Sequence, residues 1–303
     1  MNQTFCGFKD LGECPVSNEI PCARRGKPLF SYDHMRYSYE KKFPECYFWH
    51  LYLCKKCLDK LKGRFIKSLR RLLERYYGYS SNIMESTLEE IIDILVVEHD
   101  VGKLMQTYQN ACQNHKPPGF RHEIVSAYIV YISCKEALKE KKLPDTFLIS
   151  LSRIVGAAVY IHHEGIHLKY GLKHVRSPYS SFLLHYLLRK AKNGKFEMFR
   201  QDALGNWYNI QFAIEKALCQ KSFLSFNFKE RNSLDAESVF KTVSDIVIGC
   251  DGGGPPLRLI VSNFALLLRL ADNWSASMWR SSGKYDLSYA EFVEEFVRGV
   301  INE

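Results

Sequence analysis

Apolar residues recur at three- and four-residue steps along most of this chain, and nowhere in a convincing alternation. Leu58, Leu61, Phe65, Leu69 and Leu72 mark one face of a long helix predicted over residues 50–77, which Gly78 ends. Ser86-Thr87-Leu88-Glu89 has the form of a capping box. The helix it opens is apolar almost all round, through Ile91, Ile92, Ile94, Leu95, Val96 and Val97, the pattern of a central, buried helix. Its end delivers Glu98-His99-Asp100-Val101-Gly102-Lys103, and Gly102 leaves room for close packing there.

Pro117-Pro118-Gly119-Phe120 reads as a turn, after which Arg121-His122-Glu123 opens a helix through Ile124, Val125, Ala127, Tyr128 and Val130. A third apolar helix starts after Pro144-Asp145 and stops at His162-His163-Glu164-Gly165. Helical fragments are predicted at 180–192, 207–219 and 236–248, followed by a break at Asp251-Gly252-Gly253-Gly254-Pro255-Pro256. No Gly-Lys-Ser/Thr follows those glycines, so they are not a phosphate loop. A last core helix, from Leu259 to Ala271, ends by delivering Asp272, and Ser288-Tyr289-Ala290-Glu291 caps a final amphipathic helix. With neither repeats nor low-complexity tracts, the fold expected is all-α. Residues 1–44 read as an irregular cysteine-containing segment and residues 45–303 as one helical domain, with an insertion at about 186–250.

Composition supports a substantial core. Of 303 residues, 46% are hydrophobic and 14% aromatic, which argues against disorder. The formal charge is +9, which fits either a polyanionic partner or simply a basic soluble enzyme. Positive residues crowd the polar face of the first helix, from Lys55 to Arg75. Within it Lys67, Arg70 and Arg71 are the leading candidates for contacts to a phosphate backbone. No stretch has the length of a membrane span, and the first ten residues lack a signal-peptide pattern, so a cytoplasmic protein without membrane contact is expected. Ten cysteines are many for that compartment. Their spacing leaves zinc binding, disulfides and free thiols all open, with Cys54 and Cys57 on one helix face.

The chemistry lies at the helix ends. His99-Asp100, His122, His162-His163, Asp272 and, on the first helix, His50 are imidazoles and carboxylates suited to divalent transition metals. Any single one reads equally well as a satisfied core histidine or a cap; the ordered set does not.

Four stretches carry a resemblance: His99-Asp100-Val101-Gly102-Lys103, Arg121-His122-Glu123-Ile124-Val125-Ser126-Ala127, His162-His163 and Ala271-Asp272-Asn273-Trp274-Ser275-Ala276-Ser277. In them the chain resembles the HD phosphohydrolase superfamily, and within it the HD nuclease of type I CRISPR systems, over roughly residues 45–280. The resemblance implies an HD-domain helical bundle around two divalent ions: manganese, cobalt, nickel, iron or magnesium. One ion would be held by His50, His99, Asp100 and Asp272, the other by Asp100, His122, His162 and His163, with Asp100 bridging. His50 occupies the place of the family's upstream ligand histidine, with His34 the next choice. Lys103 would neutralise phosphate charge, or be a plain surface lysine. Ser277 would touch the scissile phosphate or a ligand, or pack between helices. The implied activity is cleavage of mainly single-stranded DNA, beside a separate helicase subunit and an RNA-guided surveillance complex. A nucleotide phosphohydrolase and a non-catalytic subunit that keeps the fold are the alternatives.

Overall fold

The computed structural model describes residues 29, 46–78, 82–114, 121–163, 194–197, 233–281 and 295. The fold is all-α: α1 (Tyr47–Tyr77), α2 (Asn82–Glu98), α3 (Gln106–Gln113), α4 (His122–Ala137), α5 (Asp145–Ile161), α6 (Ala236–Gly252) and α7 (Gly254–Ser281). Two 3₁₀ turns, Val101–Leu104 and Leu138–Glu140, interrupt the series. The sequence pattern missed one feature, an antiparallel pair of three-residue strands, β1 (Lys195–Glu197) and β2 (Ser233–Asp235), with Phe196 opposite Leu234. Strands this short give alternation no length over which to register.

The long helix α1 buries Leu58, Leu61, Leu69 and Leu73 completely, each side chain contributing about 1.5–3 kcal/mol. It ends at Gly78, whose φ of 74° is the left-handed cap that glycine adopts without a Cβ penalty. Helix α7 packs along it from end to end. Near one end the Tyr76 hydroxyl donates to the Gly253 carbonyl (3.3 Å). Near the other the Cys54 and Cys57 thiols donate to the carbonyls of Ala271 and Leu270. Helices α2, α4 and α5 complete the core, and α6, inside the stretch read as an insertion, adds Val239, Val243, Ile246 and Val247 to it.

Two expectations are corrected, and one left open among the cysteines is decided. Helix α2 begins at Asn82, so Ser86-Thr87-Leu88-Glu89 is interior helix and not a cap. The Ser86 and Thr87 hydroxyls both bond back to the Ile83 carbonyl (3.1 and 2.6 Å), a competing use of the same residue types. Helix α7 does not stop at Asp272 but runs to Ser281, because Trp274 and Ser275 continue its buried face. Six cysteines among the described residues, Cys46, Cys54, Cys57, Cys112, Cys134 and Cys250, are buried free thiols, so none of these forms a disulfide. His34, the helical fragments at 180–192 and 207–219, and the cap at Ser288 lie outside the described residues, as does the side chain of Ser277.

Candidate metal centre

Five elements converge on one cluster. Helix α1 supplies His50 from its first turn, and the end of α2 supplies His99 and Asp100. Helix α4 starts with His122, α5 ends at His162-His163, and α7 presents Asp272 from mid-helix. His50, His99, Asp100, His122 and His162 are at most 2% exposed and Asp272 8%; the His163 side chain is 29% exposed and faces the outside. Their ligand atoms form two groups, each within 4.8 Å: His50, His99, Asp100 and Asp272, and Asp100, His122, His162 and His163. Asp100 belongs to both. Its Oδ1 lies 3.1 Å from His122 Nε2 and its Oδ2 3.2 Å from His50 Nε2. Asp272 Oδ1 lies 3.2 Å from His50 Nε2 and 3.8 Å from His99 Nε2, while its Oδ2 lies 3.8 Å from His163 Nδ1.

The hydrogen bonds behind the rings decide what they present to the centre. His99 Nδ1 lies 2.7 Å from the Val96 carbonyl and His162 Nδ1 2.5 Å from the Val159 carbonyl. A carbonyl only accepts, so Nδ1 carries the proton in each neutral ring, and Nε2 turns a bare lone pair inward. Both Nε2 atoms, and Asp100 Oδ1, are buried without a hydrogen bond among the described residues. Inward lone pairs facing carboxylate oxygens repel unless a cation lies between them, so these residues fit divalent metal.

The Ser275 hydroxyl does the same for His50. It donates to the His50 main-chain carbonyl (3.1 Å) and lies 3.0 Å from Nδ1, from which it can accept. The sequence reading singled out Ser277 in the same run and missed Ser275. Once Asp272 is set in a continuous helix, the signal is that a residue three positions on shares its face.

Electrostatics keep the ligands in their binding forms. Burial alone would push the Asp100 carboxyl up, but His99 and Lys103 beside it hold it well below the usual range. Asp272 is likewise held down against burial, by its contacts with His50 and His99. Burial, reinforced by His163 and His99, keeps the His162 imidazole neutral by lowering its pKa well below the usual value. Lys103 is no plain surface lysine: it is 3% exposed and its ammonium lies 2.6 Å from Asp100 Oδ2. Glu123 backs His122, with Oε2 3.6 Å from Nδ1. Burial opposes its ionisation too, but the neighbouring His122, His163 and Arg121 outweigh it and hold the Glu123 carboxyl well below the usual range.

The basic face of α1 lies apart. Lys67, Arg70 and Arg71 are 17 to 21 residues beyond His50, about 25–30 Å along the helix. Lys67 and Arg71 are exposed. Arg70 is shared with Glu74 (3.5 Å) and Glu85 (3.0 Å), and Lys62 pairs with Asp93 (2.9 Å), so part of the positive face is already neutralised. Among the described residues, no helix is long and apolar enough to cross a membrane.

The chain is similar to known proteins over part of its length. Over 110 residues the chain is 34% identical to the CRISPR-associated endonuclease Cas3-HD of Methanocaldococcus jannaschii, covering 36% of this chain and 41% of that protein. Over that stretch the chain is similar to Cas3-HD. A second CRISPR-associated endonuclease Cas3-HD, from Pyrococcus furiosus, is 31% identical over 107 residues, 35% of this chain and 40% of that one. The Cas3-HD-like match thus spans about two fifths of the length of the curated relatives. A solved structure, the CRISPR-associated Cas3 HD domain protein from M. jannaschii, superposes with a TM-score of 0.49 at 23% identity, covering 74% of this chain and 95% of that one. No protein-family model matches the chain.

Proposed function

We propose that the protein is a metal-dependent nuclease of CRISPR interference that cuts mainly single-stranded DNA. In this reading it works beside a separate helicase subunit and an RNA-guided surveillance complex. The observation that carries the proposal is the pair of four-ligand groups sharing Asp100, each of whose oxygens faces a different group. His50, His99, Asp100 and Asp272 would hold one divalent ion, and Asp100, His122, His162 and His163 the other. The imidazole-rich set favours manganese, cobalt, nickel or iron over magnesium. When bound, such a pair supplies Lewis acidity and lowers the pKa of water for an in-line displacement at phosphorus.

The chain's own residues do the rest. Val96, Val159 and Ser275 fix the rings so that Nε2 faces the centre. Lys103, held against Asp100 in a buried place, offsets the negative charge that a phosphodiester brings. His163, on the exposed rim, marks the side from which a strand enters. Lys67 and Arg71, with Arg70, would steady a strand that extends away from the centre along α1.

The test uses metal-stripped full-length protein with labelled single-stranded DNA and with a panel of nucleotides, adding manganese, nickel, cobalt or magnesium singly. Metal-dependent DNA cutting that disappears in Asp100→Ala is the expected result. Nucleotide hydrolysis without DNA cutting would replace this reading with a nucleotide phosphohydrolase. Inactivity on both, persisting when helicase and surveillance complex are added, would leave a subunit that keeps only the fold.

A further inference from the structure

The first ligand group has a neighbour that its metal chemistry does not use. Cys54 lies one turn beyond His50 on α1, completely buried, with Sγ 3.5 Å from His50 Nε2. Cys54, His50 and His99 together place one ligand atom each within 4.8 Å of one another. The buried, unpartnered Nε2 of His99 points into the same space, and Asp272 Oδ1 reaches both histidines.

We propose that His50, Cys54 and His99 form a second, thiophilic binding mode that captures zinc-class ions and silences the centre by drawing them off its carboxylates. Tetrahedral zinc with bonds of about 2.3 Å to sulfur and 2.0 Å to nitrogen or oxygen sets sulfur and nitrogen about 3.5 Å apart, and nitrogen and oxygen about 3.3 Å apart. The spacing here is 3.5 Å for Cys54 to His50, and the ligand atom of His99 lies within 4.8 Å of both. Hard ions such as manganese or magnesium gain little from sulfur and stay with the carboxylates and imidazoles. Zinc or cadmium gains a thiolate bond and moves toward α1. The step is a simple exchange: the Sγ–metal bond forms and the thiol proton, now directed at the Ala271 carbonyl, leaves to water.

Cys54 and the carboxylates Asp100 and Asp272 belong to different ligand groups, so an ion drawn onto the sulfur leaves the carboxylate side of the centre. The silencing rests on the proposed nuclease reading; the sulfur bond does not.

The experiment titrates metal-stripped full-length protein with cobalt(II), a spectroscopic stand-in for zinc, and reads the near-ultraviolet sulfur-to-cobalt charge-transfer band. Wild type should develop that band. Cys54→Ala and Cys54→Ser should lose it while keeping the visible absorption of cobalt on nitrogen and oxygen. Cys54→Ser changes one atom and carries the test if Cys54→Ala does not fold. In parallel, zinc affinity should fall by roughly tenfold or more in Cys54→Ser, with manganese affinity unchanged. Absence of the band in wild type, its persistence in both variants, or equal zinc affinity would overturn the proposal. None of these readouts depends on DNA cutting, so a failure of the nuclease reading would show separately.

Discussion

A Cβ built on Gly102 would lie 2.2 Å from the carbonyl oxygen of His122. The two chain segments also share a bond, with the Gly102 N–H donating to Ser126 Oγ at 2.9 Å. Together these contacts set the distance between the 3₁₀ turn after Asp100 and the start of α4. Gly102→Ala should therefore push α4 outward and pull His122 off Asp100. The expected loss is about 1–3 kcal/mol of stability, measured by denaturant unfolding, together with weakened binding at the His122 side. A variant as stable and as metal-competent as wild type would show that the contact is dispensable.

Asp100 serves both ligand groups, whereas Asp272 is grouped only with His50, His99 and Asp100. Calorimetric titration with manganese should find two ions in wild type, one in Asp272→Ala, and none bound tightly in Asp100→Ala. Equal stoichiometry in the two variants would contradict a bridging role for Asp100.

Ser275 acts through His50. Its removal in Ser275→Ala frees the ring to adopt the other tautomer and should weaken metal affinity by about 10- to 100-fold. Ser275→Thr keeps the hydroxyl and should restore most of it. If Ser275→Ala changes stability alone, the residue only packs.

Glu98 is 1% exposed, and neither carboxyl oxygen has a hydrogen bond among the described residues. Burial pushes its carboxyl up from 4.5 to about 8, with Ser133 acting in the opposite direction. The folded state thus binds a proton more tightly than the unfolded state. The stability linked to that proton is complete below pH 4.5 and drains away as pH rises through about 8. Glu98→Gln should flatten this dependence and raise stability at pH 8 by about 1–3 kcal/mol. Thermal melts of both proteins across pH 5–8, run metal-free, give the comparison; parallel curves would count against it.

On the basic face, reversing Lys67, Arg70 and Arg71 to glutamate should weaken single-stranded DNA binding and lower the salt slope by about 2. Because Arg70 is shared with Glu74 and Glu85, its single reversal should matter less than that of Lys67 or Arg71. An unchanged slope in the triple variant would move the DNA track to another surface.

Much of this was legible in the sequence because helix periodicity and metal chemistry each leave local marks. The ends of α1, α4 and α5 coincide with Gly78, Arg121-His122 and His162, where polar residues abruptly follow or precede apolar faces. The start of α2 was misplaced because Ser86 and Thr87 can cap a helix or bond back inside one, and only the backbone decides which. The same ambiguity hid the continuation of α7 through Asp272 and, with it, Ser275. The burial of Lys103 was not legible either, since a lysine after a helix end is ordinarily solvated and its partner, Asp100, is fixed only by the fold. Pairing of Arg70 with Glu85 depends on how α1 meets α2, which no local pattern encodes.

The contact between Ser275 and His50 joins residues 225 positions apart. During synthesis, the group built from Asp100, His122, His162 and His163 emerges with α5, but Asp272 follows more than a hundred residues later. Contacts across such separations close late in folding, because the entropy of loop closure must first be overcome. A nascent chain therefore holds half a centre for as long as α7 is unmade. Under the proposed nuclease reading, cutting that needs both halves starts only after α7 has been made and packed, so the centre stays silent until then.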